Sequence, residues 1–197
     1  SPSSSGNLAS GGLAGSGAAT TPATPPTGST GGSTPGTDLG TLELTITDGP
    51  VDNVSRILVK MTEIRVHQAC ETDDACFVTV WSNPAGQEVD ILKLKTDPIV
   101  FATALAAGKY NQIRVSLAKE PGKIYFKDAP AVDYPLSVPS DEIKIHLQFD
   151  VLGAGLTQIL LDFDAEQSLH VIQKGKKSEY LLRPVINPVS QQTTAGA

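Results

Sequence analysis

The chain lacks the sequence patterns that mark most membrane proteins and enzymes. No apolar run approaches the ~20 residues needed to span a bilayer, and no signal peptide is present, so we expect a mature form whose export signal has been removed. No Gly-x-Ser-x-Gly elbow, Cys/His dyad, phosphate-binding loop or dinucleotide fingerprint occurs. The histidines, His67, His146 and His170, have no second histidine at ligand spacing. We therefore expect a protein that is not an enzyme.

Positive charge is also scarce. The chain has 15 Lys and Arg residues against 21 Asp and Glu residues, a formal net charge of −6. The basic residues are scattered, apart from the short run of Lys174, Lys176 and Lys177. This charge distribution repels the phosphates of nucleic acids and of anionic lipids. We expect no nucleic-acid partner.

The chain has only two cysteines, Cys70 and Cys76, which lie between two strand-like runs. This spacing suits a hairpin whose ends are joined, so it predicts a disulfide bond and an oxidising compartment. Two reduced thiols are the alternative interpretation. Two cysteines without a nearby histidine pair do not complete a zinc site, and the spacing differs from the Cys-x-x-Cys pair of redox enzymes.

Residues 1–40 contain little that could form a core. They are mostly Ser, Gly, Thr, Pro and Ala, with one charged residue, no aromatic residue, and Leu8, Leu13 and Leu39 as the only large apolar side chains. These are too few to offset the entropy of ordering the backbone. We expect a tail over residues 1–40 that is disordered unless a partner orders it, a folded domain over residues 41–188, and a short C-terminal tail over residues 189–197.

The folded part has the pattern of an all-β protein. Leu42, Leu44 and Ile46 alternate with polar residues, which is typical of a half-buried strand. A change of phase between Met61 and Ile64 indicates a bulge in the next strand. About 7–9 short strands separated by turn residues predict an Ig-like, Greek-key β-sandwich. The only helix we expect covers residues 100–107 and ends at Gly108.

Five short motifs occur in this order: residues 44–52 (LTITDGPVD), 107–115 (AGKYNQIRV), 138–140 (VPS), 161–165 (LDFDA) and 180–185 (YLLRPV). Taken together, they resemble domain-of-unknown-function family 4382. The resemblance covers about residues 40–188. It implies an exported bacterial protein, of a kind often tethered as a lipoprotein by a low-complexity stretch, so any membrane contact would come through a lipid anchor outside this sequence. It implies no catalytic residues.

Three carboxylates form a candidate metal site. Asp162 and Asp164 alternate with apolar residues and so lie on one face of a strand. With Asp150 they offer the oxygen ligands that Ca²⁺ prefers. In the alternative interpretation, these carboxylates accept hydrogen bonds from loop backbone N–H groups at a corner of the sandwich. We expect no other cofactor.

Three aromatic residues form a candidate ligand or partner surface. Trp81 ends a strand, where it is either a stacking surface or an anchor of the core. Tyr125 and Tyr134 flank the proline-rich residues 128–135, which we expect to form a ligand or partner loop.

These observations favour a non-enzymatic β-sandwich that is exported to the cell surface and acts in adhesion or self-assembly. Its partners would be copies of itself or other cell-surface components. Residues 1–40 or residues 187–194 would engage the neighbouring copy, in the manner of strand addition to a sheet edge, and would build a filament where the contacts do not close. The alternative is a surface module that binds carbohydrate or Ca²⁺.

Overall fold

The computed structural model of the chain describes residues 38–70 and 75–196. The tail predicted over residues 1–40 lies outside these ranges except for its last three residues. The described residues form an all-β sandwich, which confirms the predicted fold class. Its strands, more numerous than expected, are β1 (Leu39–Asp48), β2 (Val54–Gln68), β3 (Phe77–Asp90), β4 (Ile99–Ala106), β5 (Gly108–Leu117), β6 (Gly122–Phe126), β7 (Ala129–Ser137), β8 (Glu142–Val151), β9 (Leu156–Phe163), β10 (Leu169–Lys174), β11 (Lys177–Leu182) and β12 (Ile186–Thr194).

The smaller sheet has four strands in the order β12-β9-β1-β4. Its two central strands, β9 and β1, are parallel, and each outer strand is antiparallel to its neighbour. The central pair explains why β1 is so apolar on one face, since Leu42, Leu44 and Ile46 are all buried. Burial of such side chains contributes about 1.5–3 kcal/mol each to the stability of the fold.

The larger sheet has eight strands and is built around the long strand β2. Its order is β10-β11-β7-β6-β2-β5-β8, and β3 pairs with the opposite edge of β2. The first part of β2 pairs with β6 and its last part with β5. The ladder shifts register between Met61 and Glu63 against both β3 and β5, which confirms the bulge predicted from the change of phase.

The prediction of a helix over residues 100–107 is wrong. This segment is strand β4, which pairs with β1. Its alanines favour a helix by intrinsic propensity, and the buried Phe101 and Leu105 are four residues apart, a spacing that fits one helix face as well as one strand face. Pairing with the buried strand β1 decides the outcome. The helical segments of the described residues are the short α1 (Ala165–Ser168) and a 3-10 turn, Ile91–Lys93.

No helix among the described residues is long and apolar enough to cross a lipid bilayer.

Two segments expected to be irregular are strands. The proline-rich residues 128–135 are not a loop, because only Lys127 and Asp128 form the turn between β6 and β7. The predicted C-terminal tail, residues 189–197, lies mostly in β12, which pairs with β9 of its own chain through Thr194. Residues 187–194 are therefore paired along one edge with β9 of their own chain and are not a free strand.

The hydrophobic core thins out across one flank of the larger sheet. On β6, β7 and β11, the side chains of Ile124, Leu136 and Leu182 are buried between the sheets. Further along the same faces, the side chains are only half-buried, and β10 is exposed along nearly its whole length. This flank therefore carries a surface that the core does not fully cover.

Candidate interaction surfaces

The predicted disulfide bond is present between Cys70 and Cys76, whose Cα atoms lie 6.4 Å apart. It joins β2 to β3 next to a backbone hydrogen bond of 2.9 Å from the N–H of Gln68 to the carbonyl of Cys76. The bond closes the end of the β2–β3 hairpin, as the spacing indicated.

Beside the disulfide, Phe77 is held by cationic and aromatic neighbours. The guanidinium carbon of Arg114 lies 4.0 Å from the centre of the Phe77 ring, and that of Arg65 lies at 5.2 Å. His67 packs against the same ring at 4.7 Å between centroids, and its Nδ1 lies 2.7 Å from Oδ1 of Asn111. His67 is buried by these contacts. The arrangement anchors the hairpin, and His67 is a packed side chain within it.

The three carboxylates of the candidate metal site do not come together. Asp150 forms an ion pair of 3.2 Å with Lys109, and its carbonyl accepts a hydrogen bond of 2.8 Å from the hydroxyl of Thr157. Thr157 and Asp162 lie on one strand, roughly 17 Å apart at ~3.3 Å per residue, so Asp150 lies beside the other end of β9 from Asp162. Asp164 accepts a hydrogen bond of 2.9 Å from the N–H of Gln167 and so caps α1. Asp164 therefore fits the backbone-capping interpretation.

No group of three or more His, Cys, Asp or Glu side chains in residues 38–70 and 75–196 is arranged to hold a metal ion. One further carboxylate, outside the candidate metal site, is buried. Asp48 is 4% exposed, and this burial raises its pKa to about 6, with a further contribution from repulsion by Asp162 and Asp164. The sequence pattern accounts for its burial, because Asp48 continues the inward phase of Leu44 and Ile46.

The aromatic residues named from the sequence lie on different surfaces. Trp81 is partly buried and packs against Phe101 at 5.3 Å between ring centroids, where it closes the core beside β4. Tyr125 lies on the outer face of β6, with the guanidinium carbon of Arg56 5.0 Å from its ring centre. Tyr134 lies on the inner face, in phase with the buried Leu136. Tyr125 and Tyr134 therefore do not form one ligand surface.

Tyr134 instead belongs to a cluster of three aromatic rings that we call the aromatic triad, formed by Phe126, Tyr134 and Tyr180. The ring centroids are 5.6 Å apart for Phe126 and Tyr134, 5.1 Å for Phe126 and Tyr180, and 5.6 Å for Tyr134 and Tyr180. The rings come from β6, β7 and β11. The sequence did not place Phe126 and Tyr180 in the candidate surface, because no local pattern predicts the short parallel pairing of β11 with β7.

A hollow of about 620 Å³ borders the aromatic triad. Its other walls are formed by Asn53, Lys127 and Asp128, all exposed, at the turns that precede β2 and follow β6. A backbone hydrogen bond of 3.0 Å from the N–H of Lys127 to the carbonyl of Asn53 ties these two turns together. A second hollow of about 360 Å³ is also lined by Tyr134 and Tyr180.

The outer strands of the smaller sheet differ from those of the larger sheet in charge. β4 (IVFATALA) and β12 (INPVSQQTT) contain no charged residue. The outer strands β3, β8 and β10 of the larger sheet all contain charged residues, among them Glu88, Lys144 and Lys174. Charged side chains on an edge strand discourage pairing with another chain. The edges of the smaller sheet are therefore less protected against pairing with another chain than the edges of the larger sheet.

Sequence comparison agrees with the resemblance noted from the motifs. No curated protein and no solved structure matches the chain. The family described as Domain of unknown function (DUF4382) matches residues 39–184, which include β1 at one end and β11 at the other. The chain belongs to this family.

Proposed function

We propose that this protein is a non-enzymatic structural module of the cell surface that assembles with copies of itself through the two edges of its smaller sheet. The observation that carries the proposal is the absence of charge from both β4 and β12. Unprotected edges present a row of backbone N–H and C=O groups that another strand can pair with.

Each of these strands has one hydrogen-bonded neighbour among the described residues. β4 pairs with β1 and β12 pairs with β9, so the second edge of each strand takes no part in the ladder. β4 contains no proline, and its Val100 is 53% exposed. β12 has one irregularity, between Pro188 and Ser190, and pairs regularly from Ser190 to its end. Both edges thus offer uninterrupted backbone over several residues.

The strand directions favour a head-to-tail contact. β4 and β12 run in the same direction, because each is antiparallel to one member of the parallel pair β1 and β9. A copy displaced by translation would place its β12 alongside β4 and continue the sheet. The two surfaces differ, so this contact is heterologous and builds a filament unless a rotation closes it. A twofold contact of β4 with β4 would leave the uncharged edge of β12 unused.

The expected affinity of one such contact is modest. Pairing over eight residues would form roughly eight backbone hydrogen bonds at about 0.5–1.5 kcal/mol each. Association costs about 4–15 kcal/mol in lost freedom of motion. Burial of exposed apolar side chains such as Val100 and Val189 in the contact contributes further favourable free energy of association. We therefore expect assembly to depend strongly on protein concentration.

The disulfide supports the proposed location. Disulfide bonds persist in oxidising environments outside the cytosol. The bond between Cys70 and Cys76 is accordingly suited to a surface-exposed protein. A role for residues 1–40 in holding the neighbouring copy, predicted from the sequence, lies outside the described residues except for the last three.

Light scattering on the full chain over a range of concentrations tests the proposal. The variant Ala102→Lys places a charge on an exposed position of β4, opposite Glu43, which provides a cross-strand partner and preserves the fold. The control Gln148→Lys adds the same charge to an exposed position of β8, an edge that is already charged. We expect wild type and Gln148→Lys to form large oligomers and Ala102→Lys to remain monomeric. Monomeric wild type at every concentration would contradict the proposal.

A further inference from the structure

The aromatic triad and the hollow beside it have no role in the proposed assembly, because they lie on the larger sheet. We propose that this hollow binds a neutral sugar unit of an extracellular polysaccharide. The argument rests on the shape of its floor, the chemistry of its rim and the balance of its charge.

The floor of the hollow is aromatic and held in a fixed geometry. Phe126 and Tyr134 meet at an interplanar angle of 71°, and Tyr134 and Tyr180 at 69°. Each ring is thus fixed by the other two, so ligand binding orders few further side-chain torsions. A pyranose ring has a face of C–H groups that buries well against such a surface, because it is the least polar part of the sugar.

The rim of the hollow is polar and offers both kinds of hydrogen-bonding group. Asp128 supplies an acceptor carboxylate, Lys127 a donor ammonium group, and Asn53 an amide that both donates and accepts. Sugar hydroxyls also donate and accept, so they match this mixture. An aromatic floor with a few polar groups at its edge is the usual make-up of a small-molecule site, and about 620 Å³ lies within the ~300–1,000 Å³ of such sites.

The charge of the rim gives no net attraction for an ionic ligand. The positive charge of Lys127 and the negative charge of Asp128 cancel, and these are the only charged residues that line the hollow among the described residues. An anionic ligand would be attracted by the ammonium group and repelled by the carboxylate, and a cationic ligand the reverse. An ionic ligand would lose hydration of its charge without a net electrostatic gain, whereas a neutral ligand has no such cost.

Nuclear magnetic resonance titration of the full chain carrying Ala102→Lys, the variant expected to be monomeric, with cellohexaose, xylohexaose, maltohexaose and chitohexaose tests this site. We expect at least one of these oligosaccharides to shift the backbone amide signals of Asn53, Lys127 and Asp128. The variant Asp128→Ala changes an exposed turn residue and should weaken binding about tenfold, which corresponds to loss of one hydrogen bond to a charged group.

Two further variants guard against misinterpretation. Tyr180→Ala should abolish binding, and circular dichroism shows whether its fold is intact. Tyr125→Ala removes a tyrosine on the opposite face of β6 and should leave binding unchanged. Absence of shifts with all four oligosaccharides at millimolar concentration would overturn the proposal, as would equal loss of binding in Tyr125→Ala and Asp128→Ala. Because no residue of β4 or β12 lines the hollow, failure of sugar binding and failure of the proposed assembly are separate outcomes.

Discussion

The side-chain Oδ1 of Asp48 accepts a hydrogen bond of 3.1 Å from the backbone N–H of Ala165. This bond ties the end of β1 to the first turn of α1, which directly follows the neighbouring strand β9. Oδ2 of Asp48 is buried and has no hydrogen-bond partner among the described residues. A buried carboxylate with one unsatisfied oxygen is costly when ionised, which is why its pKa is raised.

The first prediction concerns the pH dependence of stability. The pKa of Asp48 is raised from 3.8 to about 6 in the folded protein. The folded state therefore binds this proton more tightly than the unfolded state. The resulting stabilisation is fully present below pH 3.8 and is lost as the pH rises through about 6. Its full size is about 3 kcal/mol.

Urea unfolding of wild type and Asp48→Asn between pH 4 and pH 8 measures this effect. The difference in unfolding free energy should change in favour of the variant as the pH rises, because asparagine does not titrate. The control Asp52→Asn alters an exposed residue of the following turn and should show no such trend. A difference between wild type and Asp48→Asn that is independent of pH would refute this account of Asp48.

The second prediction concerns the close approach of β1 to the β8–β9 turn. A Cβ atom at Gly40 would clash with the carbonyl oxygen of Leu152 and lie 2.7 Å from Cγ1 of Val151. Gly40→Ala should therefore destabilise the fold by about 1–3 kcal/mol, since the backbone of Leu152 would have to move. A Cβ atom at Gly49 meets nothing within 4 Å, so Gly49→Ala is the matched control. Equal melting temperatures for the two variants would show that the approach is looser than described.

The third prediction concerns the disulfide bond. Closing a loop of about seven residues should stabilise the fold by about 2–2.5 kcal/mol by restricting the unfolded chain. The double variant Cys70→Ser, Cys76→Ser should lose this amount in chemical unfolding and should still fold, because the surrounding packing of Phe77 remains. Wild type treated with a reductant should match the variant. An unfolded double variant would mean that the bond is essential and not a brace.

The fourth prediction distinguishes the two interpretations of Trp81. Because its ring packs against Phe101, Trp81→Ala should destabilise the fold by about 2 kcal/mol. Oligosaccharide binding at the aromatic triad should be unaffected. Loss of oligosaccharide binding with unchanged stability would instead identify Trp81 as a ligand contact.

Much of the fold was predictable because its signals are local. The alternation in β1, the bulge near Met61 and the spacing of Cys70 and Cys76 each reside within a few neighbouring residues. Strand β4 was misassigned because alanine-rich sequence is ambiguous between helix and strand until its partner β1 is known. In β4, pairing with β1 outweighs the intrinsic preference of its alanines for a helix.

The candidate surfaces were harder to predict because they depend on how distant strands pair. The aromatic triad requires β11 to lie beside β7, a contact of two residue pairs between segments separated by β8, β9 and β10. The three carboxylates of the candidate metal site do not meet, because Asp150 lies on β8 beside the start of β9, whereas Asp162 lies near the end of β9. Edge strands, likewise, are identified only once the sheet order is known. The positions of the aromatic triad, the carboxylates and the edge strands thus depend on the topology of the sheets, which no local sequence pattern predicts.

A mixing experiment tests the central claim, head-to-tail pairing of β4 with β12, most directly. Ala102→Lys blocks β4, and Gln192→Lys blocks β12 at an exposed position opposite Gln158. In sedimentation velocity, each variant alone should be a monomer, and an equimolar mixture should form a one-to-one dimer through the single intact β4 and the single intact β12. A mixture that stays monomeric, or a Gln192→Lys variant that dimerises alone through β4, would contradict the claim.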